Sequence, residues 1–368
     1  VTSEVLHADL LPAVDTALSE FLSARRAELA QMDPRIATAA DRIGEFLAGG
    51  KRIRPAFCWW GWRAGGGRDE VDDCAPVVRV AAALELIQAC ALLHDDLIDR
   101  SETRRGRPAV HRAEAKAHAD AGWSGDPDHF GANIALLFGD LALAWADDLF
   151  VTGAAALQAI DRAQPVWHAM RTEVLAGQLL DVLTSAAPAA EADLQRSDAF
   201  AVIRLKTAGY TVVRPLLLGA ALAGADASVT GRLRRYGEAV GTAFQLRDDL
   251  LGVFGDPLVT GKPAGDDLAE GKRTVLLALA RQQLLASGRD AELAELDAGI
   301  GSGPAGHTVD PAAVDQLRTI IASTAAADLL ERQILQLVAD GTAELAGLPE
   351  PVAEGLTAFA TAATRRRS

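Results

Sequence analysis

The chain is poor in the residues on which several protein classes depend. Its 368 residues include only three cysteines, Cys58, Cys74 and Cys90. That odd number, with no metal-ligand spacing, argues against a disulfide framework or a zinc ribbon and fits a reducing cytoplasm. Aromatics are few (Phe 10, Trp 6, Tyr 2). Runs of β-branched residues with period-two alternation are also scarce, so no substantial sheet is expected. Cations are the minority charge: 36 Lys and Arg against 50 Asp and Glu leave a formal net charge of −14. A general nucleic-acid binder needs a basic face to neutralise phosphates, so no nucleic-acid partner is expected. No uninterrupted apolar run approaches the roughly 18 residues of a membrane span. Residues 1–11 lack the basic and apolar regions of a signal peptide. The expectation is a cytoplasmic protein with no membrane span.

What the chain does have is Ala- and Leu-rich sequence from near residue 10 to residue 363, which favours helix by intrinsic propensity. Apolar periodicity predicts helices over 12–31, 76–98, 131–150, 165–184, 197–224, 228–255 and 270–286, with one or two more in 311–345. Breakers separate them at Gly65-Gly66-Gly67, 122–127, 186–192 and 299–306. Loops are expected near 120–130, 185–193 and 287–310. The reading is one all-α domain over 1–368.

Two acidic clusters stand out, each followed by basic residues. The first is His94-Asp95-Asp96-Leu97-Ile98-Asp99, then Arg104-Arg105-Gly106. The second is Gln245-Leu246-Arg247-Asp248-Asp249, with Lys262 and Lys272 further on. On a helix, i and i+4 share a face, so Asp95 and Asp99 point the same way. Asp96, turned about 100° from Asp95, suits hydrogen bonding instead. Magnesium takes one or two protein carboxylates and completes its shell with water and phosphate oxygens. The Asp95/Asp99 pair therefore suits magnesium carrying a diphosphate, and Asp248 offers a further carboxylate on another helix. Acidic clusters usually form solvated faces, the reading given to Asp72-Asp73 and Asp147-Asp148. The first cluster differs because it ends the apolar stretch Ala81–Leu93, where carboxylates without counter-cations would be costly. A third element, Gly49-Gly50-Lys51-Arg52-Ile53-Arg54-Pro55, supplies glycines for close backbone approach. Lys51 and Arg54 there provide point-charge and forked recognition of phosphate without metal.

Taken together these segments resemble the trans-isoprenyl diphosphate synthases, the polyprenyl synthetase family. The likeness runs in order through residues 49–55, Gln88, Asp-Asp-Leu-Ile-Asp at 95–99 and Arg-Arg-Gly-Arg-Pro-Ala-Val-His at 104–111. It continues through Gly-Gln-Leu-Leu-Asp at 177–181, Lys206-Thr207, Phe-Gln-Leu-Arg-Asp-Asp at 244–249, Gly261-Lys262 and Gly271-Lys272. The resemblance implies an orthogonal helical bundle of isoprenoid-synthase type around a deep central cavity. It implies that Asp95, Asp99 and Asp248 hold three Mg2+ ions against an allylic diphosphate, with Asp96 and Asp249 completing the catalytic clusters. Arg104, Lys206, Lys262 and Lys272 would bind the same diphosphate. Lys51, Arg54, Gln88 and Arg105 would bind isopentenyl diphosphate, and Thr207 and Gln245 would line the reacting centre. A homodimer is the family expectation. His94 and His111 read as packed structural histidines.

One departure from the pattern concerns the second cluster, which in the family usually ends in a further aspartate. Here that position is Gly252. In related enzymes the residues four and five before the first cluster set the floor of the product tunnel. These are Ala91 and Cys90, with Ile87 as a third chain-length position. Small side chains there, and a first cluster without the two-residue insertion of many short-chain bacterial homologues, favour geranylgeranyl diphosphate; a longer polyprenyl product or farnesyl diphosphate is the alternative. A class I terpene cyclase would not need the Lys51/Arg54 pocket. A non-catalytic synthase subunit should have lost the first-cluster carboxylates, which are all present.

Overall fold

The computed structural model describes residues 9–68, 74–187, 191–256, 264–300 and 310–364. The chain is organised as two compact units, each assembled from segments distant in sequence. One comprises Val1–Arg171, Arg214–Arg234 and Gly347–Leu356; the other comprises Thr172–Val213, Arg235–Ala346 and Thr357–Ser368.

In the first unit, α1 (Leu10–Met32), α2 (Thr38–Leu47) and α3 (Ile53–Ala64) precede α4 (Ala75–Ile98). Helix α4 starts at Ala75-Pro76, where a missing N–H costs nothing. It packs on α1, α3 and the long α6 (Pro127–Ala156). By length and hydropathy α4 could cross a membrane: its best window averages 1.7. Yet 72% of that window is buried inside the protein, which makes it a core helix. Between α4 and α6 lies α5 (Val110–Asp120). Asp126 caps α6, its side chain accepting from the Asp128 and His129 amides. Helix α7 (Ile160–Ala186) contributes Trp167, which stacks on Phe150 with ring centroids 4.4 Å apart.

Among the described residues the only strands are β1 (Thr103–Arg104) and β2 (Arg107–Pro108), an antiparallel hairpin. Its two turn residues, Arg105 and Gly106, both have positive φ (53° and 73°), as a type I′ turn requires.

The stretch expected as one helix over 197–224 is helical without a break as far as Ala223, but its middle is wound as a π-helix. Helix α8 (Ala192–Val202) leads into a π-helical segment (Ile203–Val213), and α9 (Arg214–Ala223) follows in the first unit. π-Helical turns occur frequently at functional sites, and this one carries Lys206 and Thr207. Then come α10 (Ala227–Phe254), the short α11 (Asp266–Ala269) and α12 (Val275–Ala286). The sequence expectation for 287–310 was a loop, but it contains α13 (Asp290–Gly299). Asp290 and Glu292 favour its N-terminus, Leu296 is buried, and Asp297 pairs with Arg281 at 2.8 Å. Helices α14 (Pro311–Ala322) and α15 (Ala326–Ala343) share a core with α10 and α12 through Leu246, Leu250, Leu276, Ile320 and Leu330. Helix α16 (Glu350–Thr364) ends the described chain.

Candidate active site

Asp95 and Asp96 stand in the last turn of α4, and Asp99 caps it. The helix dipole is negative there and disfavours carboxylates, so cations are needed nearby. The hairpin supplies one. Arg104 Nε donates to Asp96 Oδ1 at 2.8 Å, a second guanidinium N–H reaches the same oxygen, and Arg104 Nη2 lies 3.6 Å from Asp95. Burial opposes the charge on Arg104, but the Asp96 hydrogen bond and the fields of Asp96, Asp95 and Asp99 outweigh it and raise its pKa. Asp96 is only 1% exposed, and its Oδ1 is engaged by Arg104. Asp95 and Asp99 remain one turn apart, linked by the Asp99 amide to the Asp95 carbonyl at 2.8 Å.

The basic element is split by function. Lys51 is exposed, and Arg54 is half-buried in the first turn of α3. Arg52 is buried; its guanidinium bonds Glu85 Oε2 at 2.7 Å and Asp15 Oδ1 at 2.8 Å. Burial pulls Arg105 below its ordinary pKa; Glu85 opposes the shift, while Arg52, Arg104 and Arg54 add to it. Three other guanidiniums thus bear on Arg105, with Glu85 as the carboxylate that offsets them. Gathering like charges in this way favours an anion.

Of the chain-length positions, Ile87 and Cys90 are buried and Ala91 is half-buried on α4, as is Gln88. Burial, with a smaller effect from Asp140, pushes the Cys90 thiol up to about 12, so it is a packing group and no nucleophile. His94 is fixed by its Nε2 contact with the Leu136 carbonyl at 3.2 Å, and His111 is buried. Both match the structural reading.

In the second unit Lys206 pairs with Asp181 at 2.7 Å. On α10, Gln245 Nε2 donates to Asp249 Oδ1 at 2.8 Å, and Arg247 turns away to Glu331 on α15. Asp249 is 4% exposed. Its pKa rises to about 8, chiefly from burial: Asp267 and Asp248 add to the rise, while the Gln245 hydrogen bond and Lys272 oppose it. Lys272 is held by Glu270 and lies 3.7 Å from Asp267. At Gly252 a Cβ would stand 2.0 Å from Asp267 Oδ2. The space of the absent side chain is therefore filled by a carboxylate from α11. Lys262 lies outside the described residues.

Three of these residues escaped the sequence reading. Glu85 carried a usable signal, an acid inside the same apolar stretch that marked Asp95. Asp181 lay within a quoted motif but had no role. Asp267 had no signal at all, because its relation to Gly252 is made by chain folding.

Within this geometry the donors fit magnesium rather than a softer metal. They are carboxylate oxygens, and among the described residues no group of three or more His, Cys, Asp or Glu is arranged to enclose a metal. A shell of one or two carboxylates with the rest from ligand and water is magnesium's habit.

Comparison with known proteins agrees with the fold. Residues 36–304 match the polyprenyl synthetase family model. The chain is therefore a member of the polyprenyl synthetase family. A geranylgeranyl diphosphate synthase of Mycobacterium tuberculosis is 37% identical over 240 residues, covering 64% of this chain and 60% of that protein. A geranylfarnesyl diphosphate synthase of Aeropyrum pernix is 34% identical, covering 62% of this chain and 66% of its own length. The crystal structure of geranylgeranyl pyrophosphate synthase from Corynebacterium glutamicum, complexed with isoprenyl diphosphate and magnesium, is 41% identical with a TM-score of 0.88. The match covers 97% of this chain and 99% of that one.

Proposed function

We propose that this protein is a prenyltransferase that condenses isopentenyl diphosphate head-to-tail with an allylic diphosphate to make geranylgeranyl diphosphate. The observation that carries the reading is the end of α4. There Asp95 and Asp99 stand one turn apart beside Arg104, and Arg54 and Arg105 lie within electrostatic reach of each other. Similarity to the synthases of M. tuberculosis and C. glutamicum points to the same activity.

In this proposal Asp95, Asp99 and Asp248 hold three Mg2+ ions. Bound there, magnesium neutralises the leaving diphosphate. Arg104, Lys206, Lys262 and Lys272 bind that diphosphate through its oxygens. Asp96 keeps Arg104 aimed, and Asp249 and Gln245 brace each other behind Asp248. Lys51, Arg54, Gln88 and Arg105 hold isopentenyl diphosphate alongside, which makes the attack effectively intramolecular. The allylic C–O bond breaks with its electron pair on the diphosphate. The isopentenyl double bond then supplies the pair for the new C–C bond, with Thr207 and Gln245 facing the cation. The proton lost passes to the diphosphate, so no protein nucleophile is needed.

The product grows past Ala91, Cys90 and Ile87. The protein acts as a cytoplasmic homodimer, a reading supported by the exposed Leu136, Leu137 and Val151 on α6. The test is to incubate the purified protein with magnesium, isopentenyl diphosphate and dimethylallyl, geranyl or farnesyl diphosphate, then measure product length. Twenty-carbon product is expected, and absence of any condensation refutes the proposal. In the same assay Cys90→Phe should shorten the product; an unchanged length would place the tunnel floor elsewhere.

A further inference from the structure

A deeply buried ion pair in the first unit belongs to a residue with no assigned task. Arg52 is 6% exposed and its partner Glu85 is 4% exposed. Its guanidinium is committed to Glu85 on α4 and Asp15 on α1, so it is spent before any substrate arrives. Its backbone is equally unusual: φ is 51°, a left-handed conformation that a non-glycine residue adopts only when its surroundings hold it there. The residue before it is Lys51, exposed; two residues after it, Arg54 sits on the first turn of α3. Gly50 leaves room for the network, since a Cβ there would stand 2.5 Å from Arg52 Nη1 and 3.2 Å from Glu85 Oε2.

We infer that Arg52, locked by Glu85 and Asp15, is the positioning residue of the isopentenyl diphosphate subsite. Its side chain pins the left-handed turn to α4 and thereby sets where Lys51 and Arg54 point. The inference rests on the proposed function, which gives those two residues the metal-free diphosphate. It extends that reading by assigning the subsite's geometry to an interior pair that touches neither substrate.

The test separates positioning from bulk stability. Replacing a buried ion pair by apolar side chains of similar size is often neutral for stability, whereas removing one partner is damaging. The double variant Arg52→Met/Glu85→Leu should therefore melt close to the parent protein. Its KM for isopentenyl diphosphate should rise on the order of tenfold, because misplacing a binding group by a fraction of an ångström is costly. KM for the allylic diphosphate and kcat should stay within about threefold. A double variant with the parent KM for isopentenyl diphosphate overturns the inference, as does a uniform loss across all three parameters. If the double variant does not fold, Arg52→Lys keeps the charge and loses the fork. It should show a smaller rise confined to isopentenyl diphosphate, and a parent-like value overturns the inference. Lys51→Ala serves as the control for the subsite itself. If it leaves KM for isopentenyl diphosphate unchanged, the subsite assignment fails, and the positioning role falls with it.

Discussion

The two acidic clusters read almost alike in sequence, yet the structure treats their middle carboxylates in opposite ways. Asp96 and Asp249 are both buried, at 1% and 4% exposure. Asp96 receives a guanidinium from the hairpin. Asp249 receives a neutral amide from Gln245, while the nearby Arg247 goes to Glu331 and Lys272 is held by Glu270. Burial penalises a bare carboxylate and a paired one very differently. Asp249 is accordingly pushed up to about 8. The same two letters thus give a fixed ion pair at one site and a carboxyl group that titrates near neutrality at the other. A counter-charge decides between them.

That contrast can be broken most forcefully at the first cluster. Asp95→Ala should lower kcat/KM by about a thousandfold or more, since it removes electrostatic stabilisation of the leaving group. Steady-state kinetics at saturating magnesium will show it, and near-normal rates would refute the metal assignment. Asp248→Ala should cost less, about a hundredfold, because the second cluster lacks a carboxylate at position 252. An equal or larger loss would erase the difference between the two clusters.

Asp249 offers a pH test whose sign is fixed. Its folded pKa lies above the ordinary value of 3.8, so the folded state holds a proton that the unfolded state has released. Stability should then fall as pH rises from about 4 towards 8. Asp249→Asn, which mimics the protonated form, should flatten that part of the curve in thermal unfolding measured across this range. An unchanged slope would show that Asp249 is ionised in the folded protein. The smallest effect is expected at Gly252→Asp. The three atoms nearest a Cβ there all belong to the Asp267 carboxyl group, the far end of a side chain that can swing aside as a second carboxylate enters, so activity should change by less than about threefold. A large loss would mean that Asp267 is fixed in place and used.

Much of the fold was legible. Helices α1, α4, α6, α7 and α10 lie within a few residues of where apolar periodicity put them. Helices α2, α3, α5, α13 and α16 were not among those expected. Helix α3 is apolar nearly all round, with Phe57, Trp59 and Trp60 all buried, so it shows no contrasting polar face. Helix α13 buries little beyond Leu296 and read as loop because of its Gly and Asp content. Within 197–224 a continuous apolar pattern concealed the π-helical segment, since widening a helix leaves composition unchanged. The candidate site was legible where its chemistry is local, as in Asp95 with Asp99 or Lys51 with Arg54. It was illegible where partners are distant, as in Lys206 with Asp181, Arg52 with Asp15 and Glu85, and Gly252 with Asp267.

By itself the sequence determined the helical class, the two carboxylate clusters and their order among basic motifs, because helix periodicity and i to i+4 spacing are properties of neighbouring residues. Only the tertiary structure decided which charges are spent on each other. It gave Arg104 to Asp96 and Arg52 to Glu85, and it left Asp249 with an amide. The reason is physical: a buried charge takes its energy from whatever group folding brings within hydrogen-bond distance, and separation along the chain carries no record of that distance.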